Sequence, residues 1–193
     1  AISAVFLVYI PKVCKNFYET KSNLFRDSYF GFNYIFKHKS LLALLTIFLF
    51  VNFFGGFSNT LISPMILSKT NNSSIALGIV QTSFGIGGLI GGLIMTLWGG
   101  TKKKIYTLLI GILFFGFFTF CLGLVKSIIL LSISGFIISI ASVFTNTSSQ
   151  AIWQSKIPSN IQGRVFSARR VIAQLVGTIP MISSGSIVDK YLY

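Results

Sequence analysis

The sequence predicts an all-α integral membrane protein, and its composition, its apolar windows and its charge placement each point there. Hydrophobic residues make up 53% of the 193 and charged residues only 10%, with a mean hydropathy of +0.80. A soluble domain carries about 25% charged residues to cover its surface. A bilayer core takes about 20 apolar residues at 1.5 Å rise each. Four windows of that size are present, roughly 41–66, 76–98, 105–125 and 127–152, and a fifth, 170–188, is close to the minimum. No water reaches the hydrocarbon core to satisfy backbone groups, so each window must be a helix.

The net charge of +13 raises the possibility of nucleic acid, but the placement of the charges argues otherwise. Lys12, Lys15, Lys21, Arg26, Lys37 and Lys39 precede the first window, and Lys69 alone follows it. Lys102, Lys103 and Lys104 follow the second window, and Lys126 alone follows the third. Lys156, Arg164, Arg169 and Arg170 follow the fourth, and Lys190 follows the fifth. Thirteen of the sixteen basic residues therefore fall in alternate connections. This is the positive-inside pattern, and it puts residues 11–40, 99–104 and 153–169 in the cytoplasm. The basic residues orient helices, and no nucleic-acid partner is expected.

Taken in order, "AISAVFLVYI" (1–10) is half a span without basic residues in front, so it reads as the exit of an earlier helix rather than a signal peptide. A broken span followed by five complete ones suggests a fragment. In loop 11–40, Phe25, Tyr29, Phe32 and Phe36 recur at helical spacing opposite Arg26, Asp27 and Asn33. Such a stripe lies on the inner membrane surface or docks on the bundle, and the two readings stay open. Cys14 and Cys121, in a loop and a span, read as two unpaired thiols.

In 41–66, Asn52, Gly56, Asn59 and Ser63 share one helical face. In 127–152, Ser132, Gly135, Ser139, Ser142, Asn146 and Ser149 form a stripe at steps of three and four. These two helices are candidate cavity walls, although serine and glycine are also the preferred packing residues in membranes. Window 105–125 is apolar all round apart from Thr107, Thr119 and Cys121, which reads as a peripheral helix facing lipid. Window 170–188 carries Gln174, Thr178, Pro180 and Ser184, so it is expected partly buried and kinked at Pro180.

Window 76–98 is crowded with glycine. A dinucleotide fingerprint starting at Gly85 would need glycine where Ile90 stands, so phosphate binding fails. Gly87/Gly91 and Gly88/Gly92 are overlapping G-x-x-x-G pairs, and Gly78, Gly85, Gly92 and Gly99 repeat every seven residues. The reading is a packing ridge, centred on Gly85, Gly88 and Gly92, that lets a neighbouring backbone approach closely. No span is read as containing Asp, Glu, Lys, Arg or His, with Arg164, Arg169 and Arg170 assigned to the basic connection before the last window. No nucleophile–base pair, metal cluster or cofactor motif is visible, so no enzyme chemistry is expected.

"GGLIMTLWGGTKKK" resembles a degenerate second copy of the loop signature of the major facilitator family. Gly92 and Gly99 match its glycines and Lys102, Lys103 and Lys104 its basic end, while Thr96 stands where the signature has an acid. "IPSNIQGRVFSARR" (157–170), with Gly163 and Arg164, is similar to the loop before helix eleven in the macrolide-efflux and siderophore-export branch. "FRDSYFGFNYIFKHKSLLALL" (25–45) looks like that branch's entry into helix seven. The resemblance implies the carboxy-terminal six-helix bundle of a major facilitator fold, incomplete: residues 1–10 end helix six, 41–188 hold helices seven to eleven, and 189–193 begin an outer loop. It implies that helices seven and ten line the cavity, nine is peripheral, and eight and eleven lie near the interface between halves. Implied partners are the lipid bilayer, an amino-terminal half and a small amphipathic substrate exported by alternating access. Candidate cavity contacts are Asn52, Asn59, Ser139, Ser142, Asn146 and Gln174. A lysophospholipid or siderophore carrier, and a non-transporting scaffold or gene remnant, stay open as alternatives.

Overall fold

The computed structural model describes the backbone of residues 24–191 and the side chains of 30–180, 182 and 183. The expected end of an earlier helix at 1–10, Cys14, and the Phe25 and Tyr29 members of the aromatic stripe lie outside these residues, as do residues 192–193. Six helices are described: α1 (Leu24–Lys37), α2 (Lys39–Lys69), α3 (Ser74–Trp98), α4 (Lys104–Leu124), α5 (Ile128–Lys156) and α6 (Gln162–Tyr191). By length and composition, α2 to α5 can each cross a membrane. The window 170–188 lies inside α6, which begins earlier than that window suggests.

Local chemistry ends each helix. Extended backbone at His38 (φ −102°, ψ 98°) separates α1 from α2. Asn71 and Asn72 turn the chain with φ of 52° and 59°, a region asparagine tolerates better than most residues. Ser73 then caps α3, its Oγ accepting the Ala76 N–H at 3.3 Å. At the other end Gly99 and Gly100 take φ of 68° and 78°, and the Gly99 N–H closes α3 on the Met95 carbonyl. Pro158 disfavours helix at Ile157, so α5 stops at Lys156.

α5 is the hub, packed along its length against α3 and α4, while α6 packs against α2 and α1. The apolar core divides between the two ends of the bundle. Ile35, Leu45, Leu108, Trp153 and Val165 gather at the end carrying Lys104 and Lys156. Ile66, Val80, Leu122, Leu131 and Ile138 gather at the opposite end. There Lys69 Nζ donates to the carbonyls of Leu122, Gly123 and Val125 at 3.1, 2.6 and 2.9 Å, tying α2 to the C-terminus of α4. A cation at that terminus also meets the negative end of the helix dipole.

α3 meets α5 through glycine. A Cβ at Gly87 would collide with the carbonyl of Phe136, and one at Gly91 would lie 3.1 Å from Ile140 Cα. At Gly88 it would stand 3.2 Å from Ser139 Oγ. At Gly85 and Gly92 it would meet nothing within 4 Å, so these two stand off the seam. The reason is angular. At about 100° per residue, Gly85 lies roughly 160° round the helix from Gly87, and Gly92 about 100° from Gly91.

α1 docks on the bundle, and of the aromatic stripe Phe32 packs against the buried cluster around Ile35. Gly31 abuts Ala168 at 3.0 Å from its Cβ direction, Ile35 is fully buried, and Phe36 is 61% exposed. α4 turns Leu113, Phe117, Phe120 and Leu124 outward, as a lipid-facing helix should. α6 stays helical through Pro180, which fills the space over Gly56 at 3.1 Å.

Candidate functional site

Between the two apolar clusters lies a polar cleft of about 280 Å³. α2 supplies Phe48, Asn52, Gly56 and Asn59, α5 supplies Ser142, Thr145 and Asn146, α4 supplies Phe115, and α6 supplies Gly177. Four of the six expected cavity residues, Asn52, Asn59, Ser142 and Asn146, therefore converge. Each asparagine turns its Nδ2 onto the carbonyl four residues back: Asn52 on Phe48 (2.7 Å), Asn59 on Gly55 (3.0 Å), Asn146 on Ser142 (2.9 Å). A carbonyl can only accept, so the amide orientation is fixed and Oδ1 is the free end. Among the described residues no group donates to these three oxygens. The cleft thus presents hydrogen-bond acceptors in search of donors.

Ser139 and Gln174 do not line this cleft. Ser139 faces Gly88 on α3, away from the cleft. Steps of three and four fall short of 3.6 residues per turn, so the stripe precesses by about 100° between Ser132 and Ser149. Its first part, with Gly135 under the Phe84 ring, packs on α3, and only its later part turns to α2 and α6. Gln174 is exposed on the flank of α6, because the inward face there runs Arg169, Ala173, Gly177 and Pro180.

A second cleft of about 730 Å³ adjoins the first, sharing Phe48 and Asn146, and extends toward the basic end. Its wall holds Gln150, Gln154, Arg169 and Arg170. Because α6 starts at Gln162, Arg169 is not a border residue but sits two turns inside the helix, 8% exposed. Its Nη1 donates to Gln150 Oε1 at 3.1 Å and its Nη2 to Ser149 Oγ at 3.2 Å. The guanidinium carbon lies 4.6 Å from the Phe48 ring centre and 4.8 Å from that of Trp153. Sequence reasoning missed this group, although the 169, 173, 177, 180 spacing was there to find.

The loop-motif residues make local contacts at the basic end of the bundle. Lys104 Nζ donates to the Gly99 carbonyl, placing a cation on the C-terminus of α3. Thr101 bonds Thr107 through both its backbone N–H (3.0 Å) and its hydroxyl (2.8 Å). Lys102 and Lys103 are exposed, the latter 6.0 Å from the Tyr106 ring centre. Thr96, in the acid's place, bonds only its own helix at the Gly92 carbonyl. Gln162 Nε2 caps α5 on the carbonyls of Gln154 and Ile157. Gly163 is exposed, and the Arg164 guanidinium lies 5.9 Å from the Phe30 ring centre.

A helical bundle with a polar cleft at mid-depth is an architecture of membrane carriers, and comparison with known proteins decides which. The family model of the Major Facilitator Superfamily matches residues 1–191. The chain belongs to this superfamily. It is 28% identical over 194 residues to macrolide efflux protein A of Streptococcus pyogenes, covering 96% of this chain and 46% of that protein. It is 27% identical over 173 residues to macrolide efflux protein A of Enterococcus faecalis, covering 89% of this chain and 54% of that one. The chain thus spans about half the length of these relatives. No solved structure matches. This major facilitator chain is a multi-pass helical protein of the plasma membrane.

Proposed function

We propose that this chain forms one half of a secondary transporter that exports small amphipathic molecules by alternating access. The convergence of Asn52, Asn59, Ser142 and Asn146 on one mid-depth cleft carries the reading. Two bundles rocking about a site near the bilayer midplane would expose that cleft alternately to each side. The macrolide efflux relatives support export as the direction. α2 and α5 act as cavity walls, Gly88 with Gly87 and Gly91 fixes the α3–α5 seam, and the Gly92–Gly99–Lys104 and Gly163–Arg164 loops brace the cytoplasmic end. Coupling to protons needs a titratable group in the membrane field. The helices α2 to α5 carry no carboxylate, so we place that group in the other half.

Dye efflux tests this. Cells expressing residues 1–193 alone should retain an amphipathic dye as empty-vector cells do. Cells expressing the complete transporter that contains them should extrude it, and an uncoupler should stop the extrusion. Uncoupler-sensitive export by residues 1–193 alone would overturn the two-half reading.

A further inference from the structure

We propose that Arg169 is the seat of an anionic oxygen group, a carboxylate or phosphate carried by an amphipathic ligand. This rests on the transport reading and names the class of molecule that the cleft takes.

The guanidinium is buried, and both of its hydrogen-bond partners, Ser149 and Gln150, are neutral. Arginine has five N–H donors and cannot shed its proton in a protein. Two donors are engaged, and the rest have no partner among the described residues. The whole sequence has three acids, Glu19, Asp27 and Asp189, and no described side chain offers Arg169 a carboxylate. Removing one partner of a buried ion pair leaves an uncompensated charge, which is costly. A fixed cation without a carboxylate partner among the described residues is therefore expected where a mobile anion completes it.

The surroundings fit a binding group better than a brace. Phe48 and Trp153 lie within 5 Å of the guanidinium carbon and fix its position. Its remaining edge lines an open cleft of about 730 Å³, with Arg170 on the same wall. Two positive charges in a low-dielectric cleft focus field on one spot. The planar fork matches the paired oxygens of carboxylate or phosphate. The adjoining cleft, reached past Phe48 and Asn146, then offers its three amide oxygens to hydroxyls on the same ligand. A permanently cationic amphiphile would be repelled.

The test uses the complete transporter in phosphatidylcholine nanodiscs, with dodecyl phosphate, dodecyl trimethylammonium and dodecyl maltoside as probes. Dodecyl phosphate should bind saturably and in preference to the other two. Arg169→Lys keeps the charge but loses the fork, and should weaken binding about tenfold. Gln150→Glu is near-isosteric and supplies the missing counter-charge from within. It should weaken binding about a hundredfold while leaving the melting temperature equal or higher, so misfolding cannot imitate the result.

Nanodiscs of phosphatidylglycerol separate the sources of the anion. Loss of dodecyl phosphate binding there identifies a lipid headgroup as occupant, and persistence identifies a free solute. Equal affinity for the phosphate and ammonium amphiphiles, or undiminished binding in Gln150→Glu, overturns the proposal. So does phosphate binding that appears only after an acid in the other half is neutralised, because that acid then already fills the site. Dodecyl phosphate binding and efflux both unchanged in Arg169→Lys remove this subsite and leave the transport reading standing. Binding without efflux does the reverse.

Discussion

The two sides of α5 use the same small residues for opposite ends. Toward α3, Ser139 and Gly135 meet Gly88 and Phe84, and the Gly87 backbone rests directly on Phe136. Toward α2, Ser142 and Asn146 meet Asn52 and Asn59 across open space of about 280 Å³. The partner makes the difference. α3 presents glycines, so two backbones close and dispersion along the seam replaces the missing hydrophobic drive. α2 presents amides folded back on their own helix, and Gly56 is spent on Pro180 of α6 rather than on α5. One side is a joint and the other is a wall.

The sharpest way to break this contrast is to give both sides a side chain. Gly87→Leu should drive α3 off α5 and cost roughly 3 kcal/mol or more, read as loss of monodisperse protein in detergent. Gly92→Leu, five residues along and facing outward, should leave the melting temperature nearly unchanged. Equal losses at both positions would show that the seam has been placed on the wrong face.

The wall should respond in activity instead. Asn52→Leu with Asn146→Leu in the complete transporter should reduce efflux about tenfold or more. Stability should hold, because both amides line an open cleft rather than packed core, Asn52 half-buried and Asn146 exposed. Lower stability together with intact efflux would make these amides packing residues.

A smaller effect is expected where Lys69 joins α2 to α4. Lys69→Met should cost about 1–2 kcal/mol in thermal unfolding, since three carbonyls at a helix C-terminus lose their shared cation. Smallest of all, Gly92→Ala should stabilise by up to about 1 kcal/mol, because no neighbour opposes the methyl group and helix propensity improves.

Much of this was legible in the sequence. Twenty-residue apolar windows report helices directly, because the bilayer admits no other structure for them. The all-round apolar window 105–125 became a helix with Leu113, Phe117, Phe120 and Leu124 exposed, and the asparagines of α2 and α5 meet in one cleft. What failed was azimuth. Ser139 and Ser142 are chemically alike and both belong to the stripe, yet their three-residue step leaves them about 60° apart round the helix and sends one to the joint and the other to the wall. Gly85 and Gly92 belong to a seven-residue repeat, but contact follows the four-residue pair Gly87 and Gly91. Arg169 was hidden for another reason. Charge marks a membrane border in one dimension, and only the start of α6 at Gln162 puts this arginine inside the bundle. α1 likewise docks through Gly31 and Ile35, a small and a medium residue beside conspicuous aromatics.

The most direct test of the two-sided α5 is its access to water. In a transporter lacking native cysteines, single cysteines at positions 139, 142 and 146 can be titrated with a small charged thiol reagent. Asn146→Cys and Ser142→Cys should react readily and be protected by substrate, while Ser139→Cys should stay unreactive until the protein is denatured. Rapid labelling at 139 with none at 142 and 146 would reverse the two faces and contradict the account.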